Sequence, residues 1–64
     1  MGKIEWMYRK NPIDWARIEL QNEGQSFQLV VSIDGQTRST VHDISRLAEM
    51  MQNLFRDGFR LESK

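Results

Sequence analysis

Along residues 3–9 apolar and polar positions alternate. Ile4, Trp6 and Tyr8 fall on one side and Glu5, Met7 and Arg9 on the other, the period-two pattern of a half-buried strand. Asn11 and Pro12 interrupt it, because proline cannot donate to a ladder and both residue types favour turns. The stretch IDWARIEL (13–20) alternates again, with Ala16, Ile18 and Leu20 on one face and Ile13, Trp15, Arg17 and Glu19 on the other. A turn at Gly24 leads to a third strand over 26–33, where Phe27, Leu29, Val31 and Ile33 share a face. Asp34–Gly35 is the strongest hairpin signal in the chain, and the polar, β-branched run 36–40 predicts an edge strand after it.

The period then changes. Val41, Ile44, Leu47, Ala48, Met51, Leu54 and Phe55 form one helical stripe, predicting a helix over about 41–57. Thr40 followed by Asp43 resembles a capping box at its start. Gly58 is placed to be the left-handed residue beyond the last turn, with Phe59 folding back onto Leu54. Met50 falls off this stripe, beside His42, Arg46, Asn53 and Asp57. From Phe59 onward the alternation returns, consistent with a short fifth strand or with an ordered tail, while residues 62–64 are expected to fray.

Pairing Leu20 with Phe27 also sets Ile18 against Leu29 and Ala16 against Val31. Pairing Trp6 with Ala16 sets Ile4 against Ile18 and Tyr8 against Asp14. All apolar faces then lie together, and a one-residue slip would bury Glu5, Arg17, Glu19 and Gln28 instead. The expected fold is therefore a two-layer α+β domain spanning residues 1–64. It is an antiparallel meander of three to four strands in β-β-β-β-α order, covered on one face by a single C-terminal helix.

In this arrangement Trp15 points away from the helix. Met7 is expected opposite it, Ile13 beside it, and Val30 one strand over, facing Arg17; Glu5, Arg9, Glu19, Gln28 and Ser32 rim the cluster. Scattered apolar residues on an open sheet are ordinary, and cross-strand packing alone stabilises such pairs by ~0.2–1 kcal/mol. A tryptophan clustered with Met, Ile and Val is nevertheless the composition of an interface. Met7, Arg9, Ile13, Trp15, Arg17 and Val30 are accordingly the candidate partner-binding residues.

Composition narrows the chemistry. The chain has 64 residues, no cysteine and one histidine, His42, so a disulfide, a thiolate metal site and a multi-histidine zinc site are excluded. A core this small leaves only roughly 3–5 kcal/mol of net stability, which makes a homodimer plausible. Nine basic and nine acidic side chains cancel, without the basic excess typical of nucleic-acid binders. No apolar run approaches the ~20 residues of a membrane span, no signal-peptide pattern precedes the first strand, and the absence of cysteine suits a reducing, cytoplasmic setting.

No catalytic set is apparent. His42 is expected in the first helical turn with no Ser or carboxylate partner, Ser39 and Thr40 read as caps, and the glycines are isolated turn positions. Neither cofactor, metal, membrane nor small-molecule substrate is expected. The reading is a non-enzymatic protein-interaction domain of regulator or inhibitor type, using the Trp15 face for another protein or for a second copy of itself. The alternative is single-stranded nucleic-acid binding on the same face. There Arg9, Lys10, Arg17 and Arg38 would surround an aromatic platform, on an element order that some single-stranded-DNA-binding domains also use.

Overall fold

The computed structural model describes residues 3–62. Its elements are β1 (Glu5–Arg9), β2 (Trp15–Gln21), a short 3-10 turn (Asn22–Gly24), β3 (Ser26–Ile33), β4 (Gln36–Asp43), a second 3-10 turn (Ile44–Arg46) that runs into helix α1 (Leu47–Arg56), and β5 (Arg60–Leu61). All five strands form one open antiparallel sheet in the order β4-β3-β2-β1-β5. The architecture is the two-layer α+β expected, with one more strand than a four-stranded meander because the alternation after Phe59 does pair with β1.

The β2–β3 register is the expected one: Leu20 faces Phe27, Ile18 faces Leu29 and Ala16 faces Val31. The connecting loop is Asn22–Gln25, closed by Gln25 N–H donating to the Asn22 carbonyl at 3.1 Å. At the β3–β4 hairpin Asp34 (φ 52°) and Gly35 (φ 81°) both adopt positive φ, the type I′ geometry that matches the twist of the flanking strands.

The β1–β2 register differs by two residues from expectation. Trp6 faces Ile18 and Tyr8 faces Ala16, so Trp6 does not pair with Ala16, Ile4 with Ile18, or Tyr8 with Asp14. An even shift keeps every side chain on its face, so the core is unaffected. The cause is Asp14. Opposite Tyr8 its carboxylate would point into the apolar layer. Instead it stays in the loop, where Oδ1 accepts from Asp34 N–H at 3.0 Å and Oδ2 from Asn11 Nδ2 at 2.9 Å. Asn11 Oδ1 in turn accepts from Ile13 N–H and Asp14 N–H, and Lys10 N–H donates to the Asp14 carbonyl, which closes the loop. These two donors hold the Asp14 carboxyl below its ordinary value despite its burial.

The core joins Tyr8, Ala16, Ile18 and Phe27 of the sheet to Leu54 and Phe59, with Trp6, Leu20, Leu29, Val31, Ile44, Leu47, Met50 and Met51 packed around them. Burial raises the Tyr8 phenol above its usual value. Gly58 (φ 101°) ends the helix in a Schellman motif: Phe59 N–H donates to the Leu54 carbonyl and Gly58 N–H to the Phe55 carbonyl, both at 3.0 Å. That fold-back delivers Phe59 into the core.

The helix start and its stripe are the main corrections. β4 continues through Asp43, so Val41 lies on a strand and is exposed, and helical structure begins only at Ile44. Asp43 is the N-cap itself, accepting from Ser45 N–H at 3.0 Å, while Thr40 bonds His42 Nε2 rather than capping. Starting the turn later rotates the inward stripe to Ile44, Leu47, Met50, Met51 and Leu54. Met50 therefore packs on the core, whereas Ala48 and Phe55 face outward. His42 is not a solvated helix residue; its ring stacks on Phe27 at 5.3 Å between centroids. A ten-residue helix spans only ~15 Å. Ile4 and Ile33 are on the helix-facing side but lie beyond its reach and remain exposed. Glu62, expected to fray, donates its N–H to the Met7 carbonyl at 2.8 Å; Ser63 and Lys64 lie outside the described residues.

Candidate functional site

The face opposite the helix carries no second layer among the described residues. Three rows cross it. Arg9, Trp15, Ser32 and Thr37 lie side by side; next come Met7, Arg17, Val30 and Ser39; then Glu5, Glu19, Gln28 and Val41. Met7 is thus opposite Arg17 and Trp15 opposite Arg9. The expected Met7–Trp15 pair is replaced by a diagonal neighbour relation through the two-residue register shift. Arg17 does face Val30, as the sequence register implies.

The six candidate residues divide by exposure. Val30 is almost fully covered at 6%, Met7, Trp15 and Arg17 are half-buried, and Arg9 and Ile13 are exposed. Val30 and its strand neighbour Ser32 reach this burial without any element above them. The large side chains at the adjoining β2 positions are Trp15 and Arg17, with Trp15 set across from Ser32 and diagonal to Val30, where they can lie over both. Ile13 lies outside β2, in the loop bound by Asn11, and is exposed there.

Arg17 has an unusual environment. Its Nε is buried and has no hydrogen-bond partner, the one such side-chain atom among the described residues. A buried donor left unpaired is destabilising by ~1–3 kcal/mol. Several other polar groups of the face are paired. Gln28 accepts from Gln21 Nε2 at 3.4 Å and donates to Ser39 Oγ at 2.6 Å, Thr37 Oγ1 donates to Ser32 Oγ at 3.3 Å, and Lys3 reaches Glu19 at 3.6 Å.

The four basic residues considered for nucleic-acid binding do not converge. Arg9 pairs with Glu62 at 3.4 Å and donates to the Pro12 carbonyl. Lys10 turns to the helix side, its Nζ 5.8 Å from the centre of the Phe59 ring. Arg38 faces Val31, also on the helix side. Only Arg17 remains within the cluster, with Arg9 at its margin.

A surface groove lies elsewhere. It measures about 720 Å³, is open to solvent, and runs between Met51, Gln52, Phe55, Arg56 and Arg60. Arg60 largely occupies its apolar wall: its guanidinium carbon stands 4.1 Å from the Phe55 ring centre and Nη1 bonds the Phe55 and Phe59 carbonyls. Among the described residues no three His, Asp or Glu side chains are grouped to hold a metal ion, and no helix is long and apolar enough to cross a membrane. Comparison of the chain with protein-family models, with curated proteins and with solved structures returns no match.

Proposed function

We propose that this chain is a non-enzymatic protein-interaction domain, of the kind that regulates or inhibits a larger partner, and that it binds through the open sheet face around Trp15. The observation that carries this reading is the Met7–Arg17–Val30 row beside Trp15 on an uncovered face, with the Arg17 Nε donor desolvated and unpaired. Trp15 supplies a large apolar anchor, and Arg17 supplies a planar donor group whose hydrogen bonding is incomplete in the free chain. A partner offering an apolar pocket and an adjacent carboxylate or carbonyl complements both. The scattering of Arg9, Lys10 and Arg38 disfavours a single-stranded nucleic acid on the same surface.

The test is capture of partners from cells of the source organism with the wild type, Trp15→Ala and Arg17→Ala, each shown to be folded by far-UV circular dichroism. A protein retained by the wild type and lost by both variants is expected. Retention by all three overturns the site. Binding of a mixed-sequence oligonucleotide that is strong at low salt and lost at high salt would transfer the face to nucleic acid.

A further inference from the structure

The two edges of the sheet are built very differently. β5 ends one side with two residues, too short to template another chain. β4 ends the other with eight, all but His42 exposed, containing neither proline nor lysine and running in unbroken register with β3. Natural edges of this length are usually blunted by a bulge, a proline, an inward charge or a covering loop. Among the described residues β4 has no bulge, proline or covering loop, and its one cation, Arg38, on the helix-facing side, is the single such device it carries.

The direction of its free groups can be read from the ladder. Ile44 N–H donates to the Gln25 carbonyl at 3.0 Å, continuing the β3–β4 register by one pair. Antiparallel bonding alternates, so Gln36, Arg38, Thr40 and His42 turn their backbone groups toward β3, while Thr37, Ser39 and Val41 turn theirs outward; Asp43 turns only its N–H outward, because its carbonyl is taken by the 3-10 turn it caps.

We propose that a second copy of this chain docks along the outer edge of β4, antiparallel and centred on Thr40, joining two five-stranded sheets into one. With the two-fold axis at Thr40, Ser39 faces Val41 of the second copy and Thr37 faces its Asp43. Ser39 and Val41 of the two copies then exchange both backbone bonds, and Asp43 N–H meets the Thr37 carbonyl. Moving the axis to Ser39 or Val41 leaves at least one of the four without a backbone partner in β4. The axis at Thr40 also sets the two exposed Val41 side chains, each 62% accessible, diagonal to one another, and pairs Thr40 with itself. Self-complementarity is what selects a second copy over an unrelated strand: a closed isologous contact satisfies the edge once and leaves only the short β5 edges outside. This association is independent of the Trp15 face, which stays open on the joined sheet.

The proposal is tested by light scattering or sedimentation of the full chain from micromolar to millimolar concentration. The wild type is expected to pass from one chain to two. Ser39→Pro removes an outward N–H that the protomer itself does not use, and is expected to abolish association while leaving the circular dichroism spectrum unchanged. Thr40→Lys and Thr40→Glu each place like charges opposite one another across the axis and should weaken association roughly fivefold. Mixing the two should restore it through Lys–Glu pairing, a rescue that only an axis at residue 40 produces. A one-chain mass at every concentration overturns the proposal. So does a two-chain mass that all three variants leave unchanged, an outcome that would assign association to another surface. Should Ser39→Pro not fold, the charge-reversal pair decides alone.

Discussion

The two faces of this sheet are made from the same strands, with side chains from alternate positions, and they solve burial in opposite ways. On the helix side Ala16, Ile18 and Phe27 are completely inaccessible because α1 and the Phe59 fold-back lie over them. On the other side Val30 and Ser32 are nearly as buried although no element among the described residues lies over them. There the cover is lateral, from large neighbours in the same face. The first face is closed by tertiary structure. The second is closed by its own side chains, at the cost of an unpaired Arg17 Nε. Cover made of side chains can move aside for a partner; cover made of a helix cannot without unfolding.

The largest effect that sharpens this contrast is on Phe27. Truncating a fully buried phenylalanine typically costs about 3–5 kcal/mol, which equals the whole stability expected of so small a core. Phe27→Ala is therefore expected to be largely unfolded in denaturant titration at room temperature. Trp15→Ala, from the lateral cover, should cost about 0.2–1 kcal/mol and retain a cooperative transition. Equal losses at the two sites would show that the open face is as integral to the fold as the core.

A smaller effect should have the opposite sign. Arg17→Met keeps a long stem over Val30 and removes the buried N–H that lacks a partner. It is expected to leave the unfolding free energy unchanged or to raise it by up to about 1 kcal/mol, with the denaturation midpoint following, while partner capture falls. A midpoint that drops would mean that the Arg17 guanidinium holds the face together rather than waiting for an acceptor.

The same contrast explains what could be read from the chain alone. Face assignment was legible throughout, because period two admits no intermediate answer: a residue slipped by one changes side, and Glu5, Arg17 and Glu19 would have been buried. The β1–β2 register was not, because a shift of two leaves the pattern intact; the deciding contact, from Asp34 N–H to Asp14, spans twenty residues. The helix start is ambiguous in the sequence for a related reason. Val41 fits both a strand ending at Asp43 and a helix beginning at residue 41, and the Ile44 N–H bond to Gln25, a long-range contact, favours the strand. Once the start moved, the stripe rotated, bringing Met50 inward and Phe55 outward. Lateral burial of Val30 and the orphaned Arg17 Nε had no signal in the sequence, since both depend on how neighbouring rotamers lie across the sheet.

The smallest effect concerns the loop that set the register. Asp14 ties the β1–β2 loop to the β3–β4 turn, and the Asp34 N–H and Asn11 amide hold its carboxyl below the ordinary value. A folded-state value lower than the unfolded one means that the unfolded chain binds the proton more tightly. Stability from this group is then complete above the unfolded value of about 3.9 and is lost as pH falls through the lower folded value. Asp43 contributes with the same sign through its bond from Ser45 N–H. Asp14→Asn keeps a carbonyl oxygen for Asp34 N–H but carries no titrating group. Compared with the wild type, it should show a shallower decline of the denaturation midpoint from about pH 5 to about pH 2, with a residual slope that Asp43→Asn removes. Trp15 takes no part in the hydrogen bonds of the Asp14 and Asp43 carboxylates, so Trp15→Ala should keep the wild-type slope. If it flattened that slope too, the loop and the Trp15 face would be one cooperative unit, and the division between the two faces would fail at their shared end.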